Sequence, residues 1–377
     1  MQRETWKILH LEASPGWGGQ EMRSLKEAIG MRKRGYQIFF GVQKGGGLVK
    51  KAREEGFLVK EMQFAKKYWY HTFFQLLHLL LKEKIDLVNT HSPMDGWIGG
   101  VVAKIMRKPV IRTRHLSTSI RGGFNAKLIY NKLADYLVTT CSSILPEIVK
   151  KSKRSVETSV SIPTGVDPTS VLVKEEDISA FKEKHGIKKE DFLIGTACFV
   201  RSWKGIGDFI EAANILRNVS SLKWIIIGGG FSESYKKRVK ELSLNNVIFT
   251  DHLPFPYPAI AALDVFALLS TAHEGVSQAI LQAAFLQKPL IATPTGGLLE
   301  VCLDGITGIA VPKFSPSKVA DAVLEMKSDP DICLEMGKRA KKLVLEKFTL
   351  DAMLDKMESI YHSIGLRIEE KERKEKK

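Results

Sequence analysis

Cysteine is scarce. The 377 residues hold four, Cys141, Cys198, Cys302 and Cys333, widely spaced and with no CxxC pair. That excludes a disulfide framework or a cysteine metal site and fits reduced thiols in or near a core, in a reducing compartment. Long apolar runs are missing as well. The longest stretches, residues 73–81 and 280–286, are too short or too broken to span a bilayer. The first residues run straight into a short strand with no apolar h-region or cleavage site, so no signal peptide is expected and the expected location is cytoplasmic. Neither the GxGxxG of nicotinamide dinucleotide binders nor a Walker GxxxxGK[ST] occurs, and no RNP-type aromatic motif points to RNA. Acidic residues are outnumbered, 42 against 57 Lys and Arg, for a net charge of +15. Scattered solubilising lysines explain part of that excess; the rest favours phosphorylated ligands or an anionic membrane face.

With 44% hydrophobic and 26% charged residues the composition is that of a globular protein, long enough for two domains. Short apolar runs alternate with helix-length amphipathic segments. Strands are expected at residues 7–11, 36–42, 57–60, 86–90, 110–114, 136–141 and 159–162. Pro163-Thr164-Gly165-Val166-Asp167-Pro168 then breaks the pattern. A second series follows at 193–198, 224–227, 247–250, 265–268, 290–292 and 309–311, with helices at 177–185, 317–327, 331–347 and 350–364. The expected fold is α/β: two Rossmann-like, doubly wound parallel-sheet domains over residues 1–168 and 169–347, facing a cleft. A C-terminal helix at 348–364 can cross back to the first domain, and the charged residues 365–377 are expected to be a frayed or disordered tail.

In such sheets ligands lie at the carboxyl ends of strands, and several chemically suggestive residues fall there. Ser14 to Glu21 form a glycine loop directly after the first strand, either a plain βα turn or a loop whose N–H groups face a ligand. Phe199 to Gly205 hold Arg201, a bidentate fork, and Lys204, a compact charge, where a diphosphate could sit; a solvated basic loop is the alternative. The run Gly228-Gly229-Gly230 would let backbone approach a ligand closely. His115 closes Arg112-Thr113-Arg114-His115 and could exchange a proton at a sugar hydroxyl, with the two arginines near to attract an anion; a structural histidine is the alternative and His91 a rival. Metal binding by His91, His115 and a carboxylate finds no supporting spacing. In Thr271 to Gln282, Glu274 and Gly275 are expected to close a loop at a helix N-terminus, and Gln282, two turns on, to share Glu274's face. A simple acidic cap is the bland alternative.

Taken together the segments resemble the family 4 glycosyltransferases, a retaining group with the two-domain GT-B fold, and the resemblance spans nearly the whole chain. Gly18-Gly19-Gln20-Glu21 is similar to that family's GGxE loop, Ile162 to Asp167 to its Pro-Asn-Gly-Val-Asp segment with Thr164 in place of Asn, and Arg201 to Gly205 to its diphosphate-binding pair. His273-Glu274-Gly275 through Gln282, Lys288 to Ala292 and Thr295 to Glu300 resemble its donor-site signature.

The resemblance implies roles. Glu274 would bond the donor sugar's hydroxyls and stabilise developing positive charge, and Arg201 and Lys204 would neutralise the leaving diphosphate. Backbone N–H groups of Gly275, Val276 and Ser277 would hold the donor, and His115 would lie near the reacting sugar. Gly18, Gly19 and Glu21 would lie under the diphosphate and acceptor. No cofactor or metal is implied, fixed cations and helix N-termini serving instead. The implied partners are a nucleotide-diphosphate sugar and an anionic glycan or glycolipid such as lipopolysaccharide core or another envelope glycan, at the inner face of the cytoplasmic membrane, with no nucleic acid. The rival readings are a nucleotide-sugar epimerase and a non-catalytic sugar-nucleotide-binding scaffold.

Gln282 stands where the family carries the second Glu of an E-x7-E pair, its ribose ligand. Gln keeps an acceptor oxygen, but a charge-assisted hydrogen bond becomes a neutral one, about 1 kcal/mol weaker. Gln282→Glu is therefore expected to tighten donor binding in a calorimetric titration; unchanged or weaker affinity would remove Gln282 from the donor site.

Overall fold

The computed structural model describes residues 6–375. The chain divides into two compact units, one made of residues up to Pro163 together with those from Asp351 onward, the other of Thr164–Leu350. The first holds β1 (Lys7–Glu12), β2 (Gln37–Gln43), β3 (Leu58–Met62), β4 (Leu87–Thr90), β5 (Val110–Arg114), β6 (Tyr136–Thr139) and β7 (Ser159–Ser161). They form one sheet in the order β3-β2-β1-β4-β5-β6-β7. The second holds β8 (Phe192–Ala197), β9 (Leu222–Ile227), β10 (Val247–Phe249), β11 (Val265–Leu268), β12 (Leu290–Ala292) and β13 (Gly308–Ala310), ordered β10-β9-β8-β11-β12-β13. Every pairing in both sheets is parallel. This is the doubly wound architecture expected from the alternation of strand and helix, with strand boundaries shifted by one or two residues.

Helices cover both faces of such sheets, so central strands are apolar along their whole length. Ile8, Leu9, Leu11, Leu87 and Val88 are buried in the first unit, and Leu193, Ile194, Ile225, Ile226 and Phe266 in the second. Trp224 of β9 is buried and meets Phe209 edge-on, ring centroids 4.9 Å apart. Cys141, Cys302 and Cys333 are buried and Cys198 half-buried, all four as free thiols. Among the described residues no helix is long and apolar enough to cross a membrane.

The last helix, Leu350–Glu375, is longer than the sequence pattern suggests. The structure continues it through residues 365–375, where a disordered tail is expected from charge alone; Glu, Lys and Arg are themselves good helix formers. Residues 376–377, like residues 1–5 at the other end where no signal peptide is expected, lie outside the described residues. The helix buries Met353, Leu354, Met357, Ile360, Tyr361 and Ile364. It lies so close to the helix Gly19–Lys33 that a Cβ at Gly30 would come within 2.4 Å of Leu354. Arg34 reaches Asp355 at 2.7 Å and Glu358 at 2.8 Å on it.

One buried charge pair is central to the first unit. Arg23 and Glu27, one turn apart, pair at 3.1 Å with side chains at most 1% exposed. Arg23 also donates to the carbonyl of Ile162, and Glu27 accepts from Asn89 and from the Tyr361 hydroxyl, the last at 3.3 Å. Burial pushes the Glu27 carboxyl up and the Arg23 guanidinium down, each opposed by its partner. A buried ion pair tolerates loss of its supporting hydrogen bonds poorly. Tyr361→Phe is therefore expected to lower unfolding free energy by about 1–3 kcal/mol in urea titrations; a loss below about 0.5 kcal/mol, the size of a neutral surface change, would show that Glu27 does not need the hydroxyl.

Candidate active site

In the second unit the loop after β8 is forced against the loop after β11. Gly205 has a left-handed φ of +70°, and a Cβ there would fall 2.1 Å from the carbonyl oxygen of Leu269, so only glycine fits. Thr271 donates its N–H to the carbonyl of Trp203 at 2.8 Å, stitching the loops together. The consequence is a direct pair: Lys204 Nζ lies 2.5 Å from Glu274 Oε1, and the buried Ser270 hydroxyl donates to the same oxygen at 2.6 Å. Glu274 is buried and Lys204 only partly exposed. Thr293 and Thr295 both donate to the carbonyl of Ser270, so β12 braces the same loop. Arg201 stays exposed at the rim, its guanidinium 5.0 Å from the Phe199 ring and 5.3 Å from that of Trp203.

The local geometry corrects two sequence expectations. The helix after Glu274 starts only at Gln278 and runs to Phe285, with Ser277 as its N-cap. Glu274 therefore belongs to the preceding loop and does not share a helix face with Gln282. Gln282 points its amide toward the Tyr257 hydroxyl at 3.5 Å. Gly275, Val276 and Ser277 do lead into that helix: Val276 is buried, and the Gly275 carbonyl accepts from Gly297 N–H at 3.1 Å. The other correction concerns Gly228 and Gly230, which serve the chain itself. Cβ atoms there would meet the Cys198 carbonyl at 2.2 Å and the Val200 carbonyl at 2.6 Å.

In the first unit the ends of β1, β4 and β5 build a polar cluster. Glu12 closes β1 and accepts from the Ser92 hydroxyl at 2.6 Å and from the Gln20 amide at 2.6 Å. Asp95, in the first turn after Pro93, accepts the N–H groups of Ala13, His91 and Ser92. Burial drives both carboxyls up: Glu12 against its hydrogen bonds from Ser92 and Gln20, and Asp95, pushed further by the Glu12 charge, well above its usual range against the Arg112 guanidinium 3.6 Å away. His91 and His115 are brought into contact, His91 Nδ1 lying 2.9 Å from His115 Nε2.

Three expectations are altered here. Glu21 accepts the Gly18 N–H at 2.8 Å, a helix-start bond made by the third residue of Gly19–Lys33, and is buried. That carboxylate supports the helix terminus. Gly18 and Gly19 mark the same helix start, and a Cβ at Gly19 would meet nothing within 4 Å. Arg112 and Arg114 have partners inside the protein: Arg112 is buried 3.6 Å from Asp95, and Arg114 donates to the Tyr130 hydroxyl and the Thr118 carbonyl. The sequence reading passed over Glu12, Gln20, Ser92, Asp95 and Ser270. Ser92 and Asp95 share a signal, the Ser92-Pro93-x-Asp95 spacing of a helix start.

A model described as glycosyl transferases group 1 matches residues 177–343, and one described as Glycosyltransferase Family 4 matches residues 17–170. A capsular polysaccharide biosynthesis glycosyltransferase of Staphylococcus aureus is 25% identical over 304 residues, 77% of this chain and 80% of that protein. Among solved structures, a glycosyltransferase from Rickettsia africae superimposes with a TM-score of 0.86 at 21% identity, covering 96% of this chain and 99% of that one. HepE of Anabaena, in complex with UDP and glucose, does so with a TM-score of 0.83 at 19% identity, covering 95% of this chain and all of that one. Two matched segments that together take in most of both units, on two parallel α/β sheets, support a glycosyltransferase similar to family 4.

Proposed function

We propose that the protein moves a sugar from a nucleotide-diphosphate sugar to a hydroxyl of a membrane-associated envelope glycan, with retention at the anomeric carbon and without a metal ion. The observation that carries the reading is the Lys204–Glu274–Ser270 cluster at the end of β11, with Arg201 exposed beside it. A carboxylate held by a cation and a hydroxyl is preorganised, and needs no reorganisation when positive charge develops on a sugar ring. In this reading Glu274 accepts hydrogen bonds from the sugar hydroxyls and faces the forming cation. Lys204 and Arg201 take the diphosphate charge as the bond to the leaving group breaks, the work a metal would otherwise do. UDP is the favoured nucleotide, on the strength of the UDP in the HepE structure. Retention is carried by the family resemblance.

The envelope acceptor is supported by the capsular polysaccharide relative and by a surface feature. In the basic segments at residues 31–34 and 50–53, expected from sequence to face a membrane, Arg34 is paired to the last helix and Arg53 pairs with Glu61 at 2.9 Å, while Arg32, Lys33, Lys50 and Lys51 are exposed with no large apolar side chain exposed among them. The helix Trp69–Lys82 offers a better surface. Its inner face buries Thr72, Leu76, Leu79 and Leu80, while Trp69, Tyr70, Phe74 and Leu81 are each more than half exposed. Exposed Lys66, Lys67, Lys82 and Lys84 flank it. Aromatic and aliphatic side chains between lysines suit the interface of an anionic bilayer.

Glu274→Gln, which keeps shape but removes charge, is expected to lower kcat with a UDP-sugar by roughly 10²–10³-fold, while the wild type turns over equally in EDTA and in magnesium. Full turnover by the variant would remove Glu274 from the chemistry, and activity lost in EDTA and restored by magnesium would end the metal-free reading. In liposome sedimentation, the wild type is expected to bind vesicles containing anionic lipid, and a Trp69→Glu/Phe74→Glu double variant to stay in solution. Equal binding of the wild type to neutral and anionic vesicles, or of both proteins to anionic ones, would reject this surface.

A further inference from the structure

His10 in β1, His91 just after β4 and His115 just after β5 come from three adjacent strands, and their rings form one buried file. His10 Nδ1 lies 3.0 Å from His91 Nε2, and His91 Nδ1 lies 2.9 Å from His115 Nε2. Successive ring centroids are 5.2 Å apart. Exposure rises along the file from 0% at His10 to 2% at His91 and 8% at His115, so His115 is its accessible end. The Thr140 hydroxyl fixes that end by donating to the His115 carbonyl at 2.9 Å.

A neutral imidazole has one N–H and one bare nitrogen. Three neutral rings joined by these two contacts can therefore be protonated in only two ways, all on Nδ1 or all on Nε2. The choice is made at the closed end, where His10 Nε2 is buried without a hydrogen-bond partner. With all protons on Nε2, an orphan N–H dipole would be buried there in the field of the Arg23 guanidinium, whose charge acts on the His10 ring. With all protons on Nδ1, a lone pair occupies that position, and buried orphan N–H groups are the rarer kind.

We propose that His10 and His91 are positioning residues whose hydrogen-bond direction, set at His10, holds His115 as a neutral Nδ1–H donor, offered to an oxygen of the bound sugar rather than acting as a base. No proton is transferred in this role. The charged groups facing the file are Arg23 at all three rings, Arg112 at His91 and His115, and Arg114 at His115. Burial, and then these cations and the neighbouring rings, hold His91 and His115 well below the usual imidazole range, and burial with Arg23 holds His10 down to about 3. The file therefore stays uncharged as pH falls through the range in which a free histidine protonates. That a sugar oxygen is the acceptor rests on the donor reading above; the tautomer does not.

The test is long-range ¹H–¹⁵N NMR of the full-length, ligand-free protein carrying ¹⁵N-histidine, with resonances assigned through single His→Gln variants. Expected are three rings protonated on Nδ1 and unchanged between about pH 8 and about pH 6. His10→Asn, whose side-chain amide stands where Nδ1–H stood, should keep the His115 signature. His10→Val should free it, with kcat/KM for the UDP-sugar falling about tenfold or more and partly recovering in His10→Asn. A wild-type His115 protonated on Nε2, or a His10→Val variant with unchanged tautomer and kcat/KM, overturns the proposal. An Nδ1–H His115 in a protein that binds no nucleotide sugar would uphold the file and overturn the donor reading instead.

Discussion

In each unit the site depends on where the parallel strand order reverses. The sheets grow outward in both directions from one pair of neighbours, β1 and β4 in the first unit, β8 and β11 in the second. At such a point the two adjacent connections leave toward opposite faces, and the loops at the carboxyl ends part instead of crossing. Glu12, Gln20, Ser92 and Asp95 gather at one reversal, Lys204, Ser270 and Glu274 at the other. Nothing in the local sequence of Lys204 predicts a partner 70 residues away; the β8–β11 pairing supplies it.

Glycine turns that topology into contact. Gly205 lets its loop lie directly on the carbonyl of Leu269, and Gly228 and Gly230 let the loop after β9 lie on Cys198 and Val200. Glycines at strand ends are commonly read as room for a ligand, and here much of that room is taken by neighbouring backbone. Close backbone approach fixes the Lys204 ammonium and the Glu274 carboxylate within hydrogen-bond range before any ligand arrives, which is what electrostatic preorganisation requires.

The first unit carries its charges inside. Arg23, Glu27, Asp95 and Arg112 are almost wholly buried, and each carboxylate is surrounded by N–H or O–H donors. Such networks cost desolvation and are stable only when nearly every group is satisfied, so they hold their members in one arrangement. The histidine file borders this network, and at its closed end His10 Nε2 is buried without a hydrogen-bond partner, in a ring on which the Arg23 charge acts. The same arginine that anchors Glu27 thereby acts on the file.

Sequence alone determined the fold class, because the alternation of apolar runs and amphipathic helices reports parallel sheets through spacing that needs no long-range knowledge. It also placed Glu274, Lys204, Arg201 and His115 in loops that follow strands, since strand ends can be located from the same pattern. It missed Glu12, Gln20, Ser92 and Ser270, ordinary polar residues whose significance lies in partners up to 80 residues away. It did not show the intrachain partners of Glu21, Arg112 and Arg114, because charge in a sequence carries no mark of whether it is exposed or paired. The helix register at Glu274 and the direction of the histidine file were settled by tertiary structure, where the helix start at Gln278, a burial gradient and a neighbouring guanidinium act together. Periodicity is a local property and can be read along the chain; pairing, burial and field depend on what folding brings close.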